Sequence, residues 1–307
     1  MTTAESSAPV TIPVERRFPL DLESRDGGIR VLYQAAKQDH WDPERGVPWD
    51  SLDPARIPHA DRESARRVWS RRAWLEYTGL AETPALLIRF CLETGRESEP
   101  KFFLTVRNTE EAWHVECCHR IAECLGGYLD RPADPAREEL FNQTLYREAL
   151  DAAASLDAFV ATHCAFEDGL EAELAAAWLG TAREPAVRSL LEHMQRAKRR
   201  HADFGWRYLA QRAPALEPAA RHAVEGQLVR WIQTVELAGY HCVSLATGFD
   251  PAAESADLDR CAAAGLGAVP AAAEEAVFRA TLAAARARLA ALGLALPAFH
   301  HPRLGAV

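Results

Sequence analysis

The sequence lacks a disulfide framework. Its seven cysteines (Cys91, Cys117, Cys118, Cys124, Cys164, Cys242 and Cys261) are odd in number, two are adjacent, and none forms a C-x-x-C pair. That usage predicts reduced thiols in a cytoplasmic protein rather than a stapled secreted domain. Positive charge is also short: Lys and Arg total 35 against 44 Asp and Glu, a net charge of −9. No basic field is therefore available to hold nucleic acid or an anionic membrane. No apolar run reaches the roughly 18 residues of a membrane-spanning helix. The opening residues, MTTAESSAPVTIPVERRF, lack the apolar segment of a secretory signal. β-branched alternation never extends beyond a few residues, which leaves little room for a sheet. A glycine-rich dinucleotide fingerprint is missing too, so a redox role would draw electrons from a separate donor or from the substrate.

What is present is helix-forming sequence. Of 307 residues, 48% are hydrophobic and 26% charged, an ordinary globular composition. Residues 1–60 are punctuated by Asp26-Gly27-Gly28, Pro43, Pro48 and Pro54 and are expected to form an arm with one short helix near 29–37. Stretches rich in Ala, Leu, Glu and Arg follow, broken at Gly95–Pro100, Gly126–Pro135, Gly180–Pro185 and Ala213–Pro218. These breakers predict long helices at 61–94, 100–125, 138–179 and 185–211, a four-helix core over 61–211. Two further helices, 218–246 and 270–292, are expected to cap it from 212–307. The tail around His300-His301-Pro302 reads as a frayed end.

The helical stripes carry misplaced polar residues. Stepping by three and four from Leu104 reaches Arg107, Glu111, His114, Cys118, Ile121 and Leu125, an apolar face interrupted by a carboxylate and an imidazole. The neighbouring pair Glu116 and His119 falls on a register that looks solvated. On the third helix the stripe Leu156, Val160, His163, Glu167, Leu170 and Leu174 repeats the anomaly. On the fourth, Lys198 and His201 interrupt Leu191, Met194, Phe204 and Tyr208. On the first, amphipathicity favours Glu76, whereas level-matching across the hairpin favours Glu82. A bundle core does not normally accept such groups unless something pairs with them. A Glu-x-x-His pair on one helical face can reach a single metal ion. Tyr77, Tyr208 and the pair Glu236 and Tyr240 are weaker signals, read first as packing and local hydrogen bonding.

Four helices with inward carboxylates and imidazoles resemble the ferritin-like dimetal-carboxylate superfamily, in particular its oxygenase and oxidase branches: the N-oxygenases, the ribonucleotide reductase small subunit with its ligand-binding oxidase relatives, and the acyl-carrier desaturases. The resemblance rests on Thr109-Glu-Glu-Ala-Trp-His114, Phe166-Glu-Asp-Gly-Leu-Glu171 and Lys198-Arg-Arg-His-Ala-Asp-Phe-Gly-Trp206. It implies an all-α, ferritin-like four-helix bundle. It further implies metal ligands at Glu76 or Glu82, Glu111, His114, Glu167 and His201, with His163 as an added donor. Lys198 stands where the family's fourth-helix glutamate is expected, which makes it the candidate catalytic residue. It also opens three outcomes: two irons, one, or a metal-free site. The implied activity is O2-dependent oxidation of a small amine or acyl metabolite, with O2 as co-substrate; the alternative is a degenerate bundle acting as a binding module. A homodimer is expected from apolar residues such as Trp113 on the second helix.

Overall fold

The computed structural model describes residues 27–93, 99–142, 145–151 and 153–307. The first 26 residues of the expected arm, and most of the Gly95–Pro100 breaker, lie outside the described residues. A short helix α1 (Gly27–Gln38) precedes two long antiparallel helices, α2 (His59–Glu93) and α3 (Glu99–Cys124). The segment expected as one helix over 138–179 is divided. It contains α4 (Pro135–Phe141), α5 (Leu145–Leu150) and α6 (Leu156–Phe159); the last runs through a π-helical segment (Val160–Glu167) into α7 (Asp168–Thr181). Side-chain caps explain the divisions. Asp134 accepts from the Ala136 amide at the start of α4, and Ser155 accepts from the Ala158 amide at the start of α6. Helix α8 (Pro185–Arg212) completes the core.

The C-terminal part departs further from the expected pair of helices. Helix α9 (Pro218–Thr234) ends twelve residues before the expected end at 246, in a single 3₁₀ turn (Glu236–Ala238) closed by Gly239 at φ +99°. A Cβ at Gly239 would also lie 2.9 Å from the Ala246 backbone, so glycine is required twice over. Helix α10 (Ala252–Ala264) was not foreseen, and α11 (Ala271–Ala291) follows. The tail is not frayed: β1 (His300–His301) pairs antiparallel with β2 (Gly305–Ala306). Buried His301 donates from Nε2 to the Leu245 carbonyl at 2.9 Å, which ties the tail down. No helix is long and apolar enough to cross a membrane among the described residues.

The apolar core comes in two parts, and the interval between them positions the site. On α2 one part reaches Leu75 and the other begins at Ala85; on α3 one ends at Leu104 and the other begins at Cys117. On α8, Met194 belongs to one and Phe204 to the other. Glu76, Glu82, Glu111, His114 and Lys198 all fall in this interval. Helix α2 is buried on more faces than an amphipathic stripe suggests, because α5 packs against it. Arg89, whose register reads as solvent-facing, is buried and donates to the carbonyls of Ala149, Asp151 and Ala154. Trp113 is covered by the arm, with the Trp41 ring at 5.5 Å and His40 at 5.1 Å.

Helix α8 approaches the π segment closely at Gly205, where an added Cβ would sit 2.1 Å from the Cys164 carbonyl carbon. Gly205→Ala is therefore expected to destabilise the fold by about 3 kcal/mol through backbone displacement. Gly180→Ala, which meets nothing within 4 Å, should be neutral or stabilising by up to about 1 kcal/mol. Urea unfolding of the two variants checks the contrast.

Candidate metal centre

Between the two apolar parts lies a cavity of about 20 Å³, room for about one water molecule. Six carboxylates border it: Glu76 and Glu82 from α2, Glu111 from α3, Glu167 from the π segment, and Asp168 and Glu171 from α7. Two fixed cations, Arg107 and Lys198, and the imidazole of His163 border it as well. Gly79 makes room: a Cβ there would lie 2.6 Å from the Glu111 carboxyl carbon.

Lys198 organises one side. Its ammonium donates to Glu171 Oε2 at 2.7 Å and lies 2.8 Å from Glu76 Oε2. His114 Nδ1 meets the same Glu76 oxygen at 3.3 Å. Burial opposes charge at Glu76, yet Lys198 and His114 hold it below the usual carboxylate range. Glu171, against the same penalty, is held far below that range by Lys198 and His241. Lys198 in turn is held well above the ordinary lysine value, because Glu171 and Glu76 outweigh its burial.

Arg107 organises the other side with less success. It lies 2.9 Å from Glu111 Oε1, 3.2 Å from Asp168 Oδ1 and 3.8 Å from Glu82 Oε1. One guanidinium does not compensate so many acids. Burial pushes Glu82 up to about 7, and raises Glu111, Glu167 and Asp168 as well. His163 donates from Nδ1 to Glu167 Oε2 at 2.6 Å, its ring packed between Phe159 and Trp231. Among the described residues, five buried donor atoms at or beside the cavity have no hydrogen-bond partner: Glu82 Oε1, Glu111 Oε2, Asp168 Oδ2, His114 Nε2 and His163 Nε2. An unpartnered buried donor costs on the order of 1–3 kcal/mol, so such a set calls for a cation.

His163 and Glu167, four residues apart in the π segment, both border the cavity, as their shared stripe predicts. Glu76, Glu82, Glu111, His163, Glu167 and Lys198 thus meet at the cavity, and His114 joins them through Glu76. His201 does not border it. Its Nε2 bonds Glu110 at 2.9 Å, in a buried group completed by Arg200 and Asp39. Burial brings His201 down to about 3, so it is neutral there. Tyr77 is exposed, Tyr208 donates to Asp157, and half-exposed His119 pairs loosely with Glu123.

Sequence reasoning missed Asp168, Glu171 and His241. Glu171 was within reach of it, one turn beyond Glu167 on the same stripe. His241 was not, because it lies in the irregular turn after α9, where no periodicity operates. There His241 Nδ1 meets Glu236 Oε2 at 2.9 Å and Nε2 meets Glu171 Oε1 at 3.3 Å. A larger cavity of about 500 Å³ lies on the reverse side of α7 and α8, against α11, where Arg288 stacks on Trp206. Its only carboxylates are Glu173 and Asp203, so the chemistry belongs to the smaller cavity.

No family model matches the sequence, and no curated protein matches it. Solved structures do match. An R2-like ligand-binding oxidase variant with an aerobically reconstituted Mn/Fe cofactor aligns at a TM-score of 0.69 and 16% identity, over 88% of this chain and 95% of that one. A second variant, with an Fe/Fe cofactor, aligns at 0.67 and 17%, over 88% and 94%. The fold is that of the R2-like ligand-binding oxidases. Those proteins therefore share the ferritin-like fold with this chain, and the residues bordering its cavity rest on their own geometry.

Within this ferritin-like bundle Lys198 has a measurable electrostatic role. Because Glu76 and Glu171 titrate below their ordinary range, their pairing contributes stability that is present above about pH 4.5 and is lost on acidification. Lys198→Met removes the cation and leaves two buried carboxylates that burial pushes upward. The variant should be about 3–5 kcal/mol less stable than wild type near pH 8, with the difference shrinking near pH 4 as the acids protonate. Urea titrations of both metal-free proteins across that range measure it; a pH-independent difference would contradict this electrostatic account.

Proposed function

We propose that the protein is a dimetal oxidase or oxygenase that activates O2. The observation that carries this reading is the surplus of buried acid at the cavity. Six carboxylates face two fixed cations, and the excess of four is the charge that two divalent ions neutralise. The donor chemistry agrees, since carboxylates with imidazoles suit iron and manganese. In this reading Glu76, Glu111 and His114 hold one ion, and Glu82, Glu167 and His163 surround the other. Their unpartnered oxygens and Nε2 atoms become ligands. The bound metals supply the redox chemistry that reduces O2 and oxidises the substrate.

The remaining contributions belong to the chain. Lys198 holds Glu76 and Glu171 ionised and fixes their orientation. Arg107 orients Glu111 at 2.9 Å without offsetting its burial. The aromatic cluster of Phe90, Phe103 and Phe204 at one end of the site excludes water from it, which protects reactive species from side reactions. The substrate class we assign, from the resemblance alone, is a small amine or acyl metabolite; electrons come from an external donor or from the substrate. A cytoplasmic location accompanies this reading, while the face around Trp113, the basis for expecting a homodimer, is covered by the arm.

A second reading has its own support. Lys198 already neutralises Glu76 and Glu171, so the site can persist with one ion or none, as a binding or interaction module. Metal analysis separates the two. Metal-free protein loaded anaerobically with Fe(II), or with Mn(II) and Fe(II), should retain one to two ions per chain after desalting and develop an oxygen-dependent absorbance. Folded protein that retains no metal under excess would leave the second reading standing.

A further inference from the structure

The turn that follows α9 brings a carboxylate and an imidazole from outside the four-helix core to the edge of the site. We infer that a divalent ion is held by Glu167, Glu236 and His241, so that the ion beside Glu167 is completed by the C-terminal segment and not by His201. This rests on the metal-binding reading above and assigns its second ion a different set of ligands.

Donor atoms of these three buried residues lie within 4.8 Å of one another. Three donors bonded to one ion at about 2.1 Å stand about 3.0–3.6 Å apart, so closure onto an ion draws the three side chains together. A separate observation points to the same place. His163, 1% exposed and hydrogen-bonded to Glu167, borders the cavity with its Nε2 unpartnered. That nitrogen leaves an open valence on the residue that bonds Glu167, at one end of the cluster.

The turn is built to hold its shape. Arg71 of α2 donates to the carbonyls of Tyr240 and His241, and Gly239 supplies the left-handed bend. Trp231 Nε1 donates to Glu236 Oε1 at 3.0 Å, which orients that carboxylate. His201, by contrast, is committed to Glu110. Lys198 supplies the reason for a displaced ion. Its ammonium occupies the position between Glu76 and Glu171, which repels an ion from that point while Glu167, Glu236 and His241 lie to one side. On binding, the ion replaces the proton that His241 shares with Glu236, and that proton leaves to solvent.

The test uses full-length, metal-free protein titrated with Mn(II), with free ion followed by electron paramagnetic resonance and bound metal by elemental analysis. His241→Asn and Glu236→Gln should each lose one ion per chain or bind it at least tenfold more weakly, and His201→Asn should bind as wild type does. Glu236→Gln preserves size and can still accept from Trp231, so it carries the result if His241→Asn does not fold. Wild-type capacity and affinity in folded Glu236→Gln, or loss of an ion in His201→Asn alone, would overturn the inference and leave the dimetal reading intact. Wild-type protein that binds no Mn(II) would overturn both.

Discussion

The ammonium of Lys198, only 4% exposed in the middle of a four-helix bundle, is tolerable because Glu76 and Glu171 flank it at salt-bridge distance. Their carboxylates are tolerable only because the ammonium is there. Burying such charges costs several kcal/mol per ion and is offset only when the geometry is good and every member is paired. The rest of the site follows from this constraint. Glu76, once fixed, orients His114; Glu171, once fixed, engages His241; and His241 engages Glu236. Of the acids left outside this chain of pairs, Glu82, Glu111 and Asp168 share Arg107, and Glu167 has His163. That side is where the buried acids are pushed upward and where unpartnered donor atoms collect.

The same imbalance separates structural from functional polarity in the core. A polar network that serves only to specify a fold closes on itself, with every donor and acceptor used. Asp157 with Tyr208 and Arg212 comes close to that condition. The cavity between Glu82 and Lys198 does not. Its open valences lie on carboxylates and imidazoles, the residue types that bind first-row metals, and at the level where two apolar blocks separate on successive helices.

How much of this could be read from the sequence depended on whether periodicity applied. Along α2, α3 and α8 the 3.6-residue stripe is sound, and the approximate ends of these helices and the burial of Glu111, His114 and Lys198 were legible. Stripe reading failed where a second element covers the presumed solvent face: Arg89 looked exposed until α5 was placed against it. It also left Asp168 unread, beside the π segment, although His163 and Glu167 on that segment share a face as the stripe has them. A stripe also cannot tell which of two inward residues faces a cavity and which finds a private partner. His201 carries the same periodic signature as Lys198, yet Glu110 engages it. Nothing periodic marks His241, whose place depends on a left-handed glycine and on Arg71, 170 residues earlier.

That last contact has a consequence for how the protein is made. Helices α2 to α8 emerge from the ribosome well before residue 241, and domains begin to fold as they emerge. During that interval Glu171 has Lys198 but lacks His241, and Arg71 has no turn to grip. The turn itself is steadied by a still later element, since His301 of the terminal hairpin bonds Leu245 next to it. The centre is therefore assembled from segments far apart in the described chain, and its last pieces arrive after the four-helix core has been made. Until the turn after α9 has been made, Glu171 relies on Lys198 alone for its charge partner.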